Sequence, residues 1–197
     1  MREVLEIGVL QAAPLFLGSV LVRGERRARI VEVEAYRADG DPGSHAYRGM
    51  TPRNRIMFGP PGFAYVYFTY GSHWMLNITA GKTDEAAALL IRAAEPLADL
   101  DTMRANRPKA RHDWDLLSGP GKIAAAFEIT SVDYGLDLLN PKSSLHFEVG
   151  PPPSKILCGP RIGLAQGKGE TLPWRFVDGH SLRYISRPHP SETWSED

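Results

Sequence analysis

Turns, more than any apolar run, limit what this chain can fold into. Glycine (19) and proline (16) recur along all 197 residues. Glycine opens positive φ at tight turns, and proline fixes φ while removing a backbone donor, so each one shortens the elements beside it. A helical bundle needs long uninterrupted apolar stripes, whereas short strands joined by turns tolerate such punctuation. The length fits one large domain or two small ones. No internal repeat or low-complexity linker divides the sequence, so the expectation is one domain over residues 1–190 and a loose acidic tail over 191–197.

The pattern from Ser19 to Tyr36 reads as a hairpin turning at Gly24-Glu25, with Val31, Val33 and Ala35 on one face and Glu32, Glu34 and Tyr36 on the other. Asp39-Gly40-Asp41-Pro42-Gly43 forces a loop, and Thr51 before Pro52 predicts the N-cap of a short helix. A second hairpin follows, Phe63 to Tyr70, a turn at Gly71-Ser72, then Trp74 to Thr79. Ala87 to Ala93 reads as a further strand, Asp99 to Asn106 as a helix, and Ser118-Gly119-Pro120-Gly121 as the start of a helix over Lys122 to Phe127. The last third is again strand and turn. Hairpins with interspersed helices define an α+β fold, a single domain with a curved, mainly antiparallel sheet flanked by several helices.

Val9 to Val22 is apolar, but Glu3 and Glu6 stand where a signal would carry positive charge, and Pro14 interrupts a run too short to span a bilayer. It reads as core, with no membrane partner and a cytoplasmic location. The single cysteine, Cys158, cannot form an internal disulfide, which fits a reducing compartment. No His-x-x-x-His pair appears, so neither metal nor cofactor is expected. The formal net charge is zero, which weighs against a nucleic-acid binder, although a neutral total can hide a basic face.

Chemistry-bearing residues concentrate between Glu34 and Asn77. A glutamate on a strand face is usually only solvated, but Glu34 shares its face with Tyr36 at a strand end that opens into a loop, a common place for a catalytic group. Tyr65 and Tyr67 alternate along their strand, a pattern that packs a sheet as readily as it stacks on a ligand. Tyr70 falls beside the Gly71 turn with little core to pack against. His45 lies in a loop, and Asn77 in a strand can simply satisfy backbone. Arg92, inside the apolar run Leu-Leu-Ile-Arg-Ala-Ala, needs an anionic partner, either a protein carboxylate or a phosphate. Flat rings beside cationic side chains suit a nucleobase with its phosphates.

In order, Glu34-Ala35-Tyr36, His45, Thr51-Pro52-Arg53-Asn54, Tyr65-Val66-Tyr67, Tyr70-Gly71, Asn77-Ile78, Arg92-Ala93, Glu95-Pro96-Leu97, Thr102-Met103-Arg104 and Ser118-Gly119-Pro120 resemble the motifs of the alkyladenine (3-methyladenine) DNA glycosylases. Each motif is weak alone, but the ordered set is specific and runs from about Leu15 to Arg187. The resemblance implies a monofunctional glycosylase of base excision repair, acting as a monomer on double-stranded DNA that contains alkylated or deaminated purines. Glu34 then matches the general base that activates water, and Arg92 the arginine beside it. Tyr36, His45 and Tyr67 match residues around the extruded base, Asn77 the amide that discriminates against guanine, and Tyr70 the ring inserted into the vacated stack. Thr51, Arg53 and Lys122 match contacts to the DNA backbone. The chain departs from vertebrate members in a shorter spacing between His45 and Thr51, and in Ser72-His73 where they carry a methionine. The competing reading is a module that binds damaged or single-stranded nucleic acid without cutting, which would need the rings and cations but not Glu34.

Overall fold

A computed structural model describes residues 1–69, 71–187 and 195–196. Two short helices open the chain, α1 (Arg2–Glu6) and α2 (Val9–Phe16), followed by the hairpin β1 (Val20–Arg23) and β2 (Arg26–Arg37). A second hairpin, β3 (Ala64–Thr69) and β4 (His73–Ala80), leads to the long strand β5 (Ala87–Ala98) and then α3 (Leu100–Asn106) and α4 (Pro120–Ala126). Short strands complete the chain: β6 (His146–Glu148), β7 (Ile156–Gly159), β8 (Arg175–Asp178) and β9 (Ser195–Glu196). All form one curled antiparallel sheet in the order β3-β4-β5-β2-β8-β7-β9, with β1 and β6 attached beside the first half of β2. The architecture is the expected α+β class.

Strand alternation divides the sheet into an apolar face and a second, working face. Ile30, Val33 and Ala35 of β2, Leu76 and Ile78 of β4, and Leu89 and Ile91 of β5 are buried in the main core, where α2 contributes Val9, Ala12, Ala13 and Phe16 and α4 contributes Ile123 and Ala124. The apolar N-terminal stretch is therefore core, as its sequence indicated, and its helix continues through Pro14. Phe16 meets Phe147 edge-on, with ring centroids 4.9 Å apart. Burying each such side chain contributes roughly 1.5–3 kcal/mol, which is what holds the short helices against the sheet.

Two expectations need correction. Thr51 does not cap a helix; it folds into a turn in which its N–H donates to Asn54 Oδ1 at 2.6 Å, and a 3-10 turn begins only at Arg55. Val31 does not share a face with Val33 and Ala35 in the main core. It is the extra residue on β2 at a register shift, between the pairs Ile30–Ala94 and Glu32–Ala93, and Ile30 takes the inward position instead. A second shift makes Arg92 the extra residue on β5, between the partners of Glu32 and Val33. Tyr70 and most of the 191–197 tail lie outside the described residues. Among the described residues no helix is long and apolar enough to cross a membrane.

Candidate active site

Register assembles the site. Tyr65 of β3 pairs with Asn77 of β4, Asn77 with Leu90 of β5, Leu90 with Glu34 of β2, and Glu34 with Arg175 of β8. Residues opposite one another point to the same face, so this row crosses five strands on the face turned away from the main core. Above it lies a cavity of about 800 Å³. Tyr36, His45, Tyr67, Asn77, Arg92 and Lys122, all singled out by sequence, line it together.

Glu34 is fully buried immediately behind that wall and holds three donors. The Tyr36 hydroxyl donates to Oε2 at 2.8 Å, Arg92 Nη1 donates to the same oxygen at 3.1 Å, and the backbone N–H of Ile162 donates to Oε1 at 2.7 Å. All three donors line the cavity. A buried carboxylate requires such partners, because an unpaired one costs far more than folding can absorb. Burial, then the Glu34 charge, push the Tyr36 phenol well above its ordinary range, so its proton stays in place and it serves as a donor. For Arg92, burial works against the charge, but Glu34 and Glu32 outweigh it and raise its pKa.

The aromatic side is built on β3. The Tyr67 ring lies 4.6 Å from His45 and 5.3 Å from Tyr65, centroid to centroid, and the Arg53 guanidinium sits 4.9 Å from the Tyr67 centroid. His45 Nδ1 and the Tyr65 hydroxyl are hydrogen-bonded at 2.8 Å. Burial lowers the His45 pKa, and the Arg53 charge adds to it, so the ring is neutral at physiological pH. Asn77 donates through Nδ2 to the Tyr65 carbonyl at 3.0 Å, fixing its amide against the cavity floor.

Cations gather at the rim. Arg107, Lys109, Lys122 and Arg187 line the cavity, with Lys122 ion-paired to Asp115 and 2.9 Å from Ser118 Oγ. His73, which stands in the divergent Ser72-His73 pair, also lines it. A Cβ at Gly121 would come within 2.9 Å of the His73 ring, so glycine there lets α4 close on the β3–β4 hairpin. Thr51 and Arg53 do not line this cavity. Both are exposed on the loop before β3, and Arg53 reaches a smaller groove on the far side of Tyr67.

Several contributors escaped the sequence reading. Ile162 acts through its backbone, which no residue-type signal marks. Tyr65, which the sequence places in an alternating strand and in the Tyr65-Val66-Tyr67 motif without a role of its own, anchors both His45 and Asn77. Arg161 is buried over Tyr36, 4.5 Å from the ring centroid, and grips Asp41 through two nitrogens at 2.6 and 2.7 Å. That pair ties the Asp39–Gly43 loop to the segment after β7. Among the described residues no cluster of histidine, cysteine or carboxylate could hold a metal ion.

The protein family described as Methylpurine-DNA glycosylase (MPG) matches residues 3–181. A protein of Burkholderia lata named "Putative 3-methyladenine DNA glycosylase" is 46% identical over 180 residues, covering 89% of this chain and 85% of that protein. Proteins bearing the same name are 43% identical in Streptomyces avermitilis, over 89% of this chain and 85% of theirs, and 43% identical in Methanocella arvoryzae, over 91% and 92%.

Proposed function

Because the chain belongs to the methylpurine-DNA glycosylase family, we propose that it rotates alkylated or deaminated purines out of duplex DNA and hydrolyses their N-glycosidic bond with Glu34 as the general base. A base inside the duplex is out of reach, and extruding it costs a few kcal/mol, less where damage has weakened its pairing. The cavity returns part of that cost, since each base stacked on an aromatic ring is worth roughly 1–3 kcal/mol. Tyr36, His45 and Tyr67 supply the rings. Tyr70, directly after the last residue of β3, is assigned to fill the vacated stack.

One observation carries the reading: a buried carboxylate with both oxygens held by three donors that themselves form the wall of a ring-lined cavity. A carboxylate has acceptor sites for about four hydrogen bonds, so Oε1, with one donor, has acceptor capacity for a water that must enter from the cavity side, because Glu34 itself is enclosed. As the glycosidic bond breaks, its electron pair leaves with the purine, so a cationic alkylpurine departs as a neutral base while positive charge grows on the sugar. The Glu34 carboxylate stabilises that charge, accepts the proton of the attacking water and directs the oxygen to C1′. Neutral His45 adds no positive charge to oppose a cationic alkylpurine. Asn77, fixed by Tyr65, is assigned to discriminate the purine edge, and Arg53, Thr51 and Lys122 to hold phosphates. No lysine is assigned a nucleophilic role, so in this reading the reaction ends at an abasic site and borohydride should trap no covalent adduct.

Duplexes carrying 3-methyladenine, 1,N6-ethenoadenine or hypoxanthine, followed by alkaline cleavage, test the reading directly. Wild-type protein should yield abasic sites from at least one lesion. Glu34→Gln should abolish release while leaving lesion-duplex binding close to wild type. Persistent release by Glu34→Gln would remove Glu34 from the mechanism. Binding without release in both proteins would instead favour a non-catalytic lesion-binding module.

A further inference from the structure

Behind the carboxylate at the cavity wall lies a second one that the proposed reaction does not use. Glu32, two residues earlier on β2, is fully buried. Its Oε1 accepts from Arg175 Nε at 2.7 Å, Ser186 Oγ at 2.8 Å and Arg92 Nε at 3.1 Å, while Oε2 accepts the Ser186 N–H at 2.6 Å. Arg175 also donates through Nη2 to the Arg187 carbonyl at 2.8 Å. Ser186 and Arg187 line the cavity. The second carboxylate therefore holds both the arginine beside Glu34 and a stretch of the cavity wall.

A guanidinium next to a single carboxylate tends to grip it with two parallel nitrogens. Arg92 does not do so with Glu34. Nη1 alone reaches Glu34, and Nε turns to Glu32, because Arg92 occupies the register shift that sets it between the two glutamates. Two carboxylates and two guanidiniums, Glu32, Glu34, Arg92 and Arg175, balance in charge. Without Glu32, two buried cations would face one carboxylate, and Arg92, then held off only by Ser186 Oγ at 3.1 and 3.2 Å, would be drawn onto Glu34 and its less occupied oxygen. Among the described residues the remaining hydrogen-bond donors to Glu34 are the Tyr36 hydroxyl on its own strand and the Ile162 N–H, with Arg161 over the Tyr36 ring and Arg175 opposite Glu34 on β8.

We propose that Glu32 is a positioning residue for base release. It draws the Nε side of Arg92 away from Glu34, anchors Ser186 directly and Arg187 through Arg175, and so keeps Arg92 off the second Glu34 oxygen. This inference rests on Glu34 being the group that takes the proton from water.

Single-turnover base release and lesion-duplex binding, measured together on the full chain, test it. Misplacing a catalytic group by a fraction of an ångström to one ångström costs roughly ten- to a hundredfold in rate, so Glu32→Gln should slow release by about that factor with binding within about twofold of wild type. Ser186→Ala removes the hydroxyl shared by Glu32 and Arg92, and should give a smaller fall with the same split. A merely structural role would lower the active fraction and binding together, leaving the rate of the active fraction unchanged, and that result would overturn the proposal. If Glu32→Gln does not fold, the Ser186→Ala rate decides, and a wild-type value overturns it. Glu34→Gln run alongside separates the two claims: release by that variant would mean that Glu34 is misassigned, whatever Glu32 does.

Discussion

His45 shows how much of this site depends on keeping a single ring uncharged. Burial lowers its pKa below the ordinary value near 6.5, and Arg53 lowers it further. In the unfolded chain the imidazole returns to that ordinary value, so below about pH 6.5 the unfolded state takes up a proton that the folded state resists. The stability associated with neutral His45 is therefore complete above that pH and is lost as pH falls toward the depressed folded value. Melting temperatures between pH 8 and 5 should decline on the acid side of about 6.5, and His45→Gln should flatten that part of the decline. An unaltered slope would mean that another group dominates. Under the proposed function the same neutrality is an advantage, since a protonated ring would repel a cationic base.

At the level of elements, the site depends on loops clamped by buried charge. Arg161 and Asp41 are both wholly buried at their side chains and joined by a two-point ion pair, with the guanidinium also stacked 5.0 Å from the Trp174 centroid. Removing one member of such a pair leaves an uncompensated buried charge, at a cost of about 3–5 kcal/mol. Asp41→Ala should lower the unfolding free energy by that amount in denaturant titration; a loss below about 1 kcal/mol would show that the clamp relaxes into solvent. Sequence revealed the hairpins over 19–36 and 63–79, because alternation and Gly-centred turns are local signals. It also revealed Tyr36, Tyr67, Asn77 and Arg92 as candidates. What it did not reveal was register: the compensating shifts at Val31 and Arg92 depend on how β2 meets β5 across the sheet, and these place Arg92 between two glutamates. Ile162 and Glu34 are 128 positions apart, a pairing that only the assembled fold creates.

For the whole molecule, zero net charge conceals an uneven distribution. Arg107, Lys109, Lys122 and Arg187 line the cavity, where Asp115 offsets part of their charge through Lys122 and Arg107, and carboxylates such as Asp101 and Glu128 are exposed elsewhere. DNA affinity should fall steeply with salt, with a log–log slope of about 0.9 per phosphate neutralised. Lys109→Gln should reduce the magnitude of that slope by about 1 without changing base release at saturating DNA; an unchanged slope would place Lys109 off the DNA. The division of the sheet into two faces has a practical consequence as well. Met75 and Leu90 line the cavity but belong to no part of the main core. Substitutions there reshape the receptacle while the main-core side chains of β2, β4 and β5 stay in place, so under the proposed function the choice of base can be altered at the cost of these two buried contacts alone.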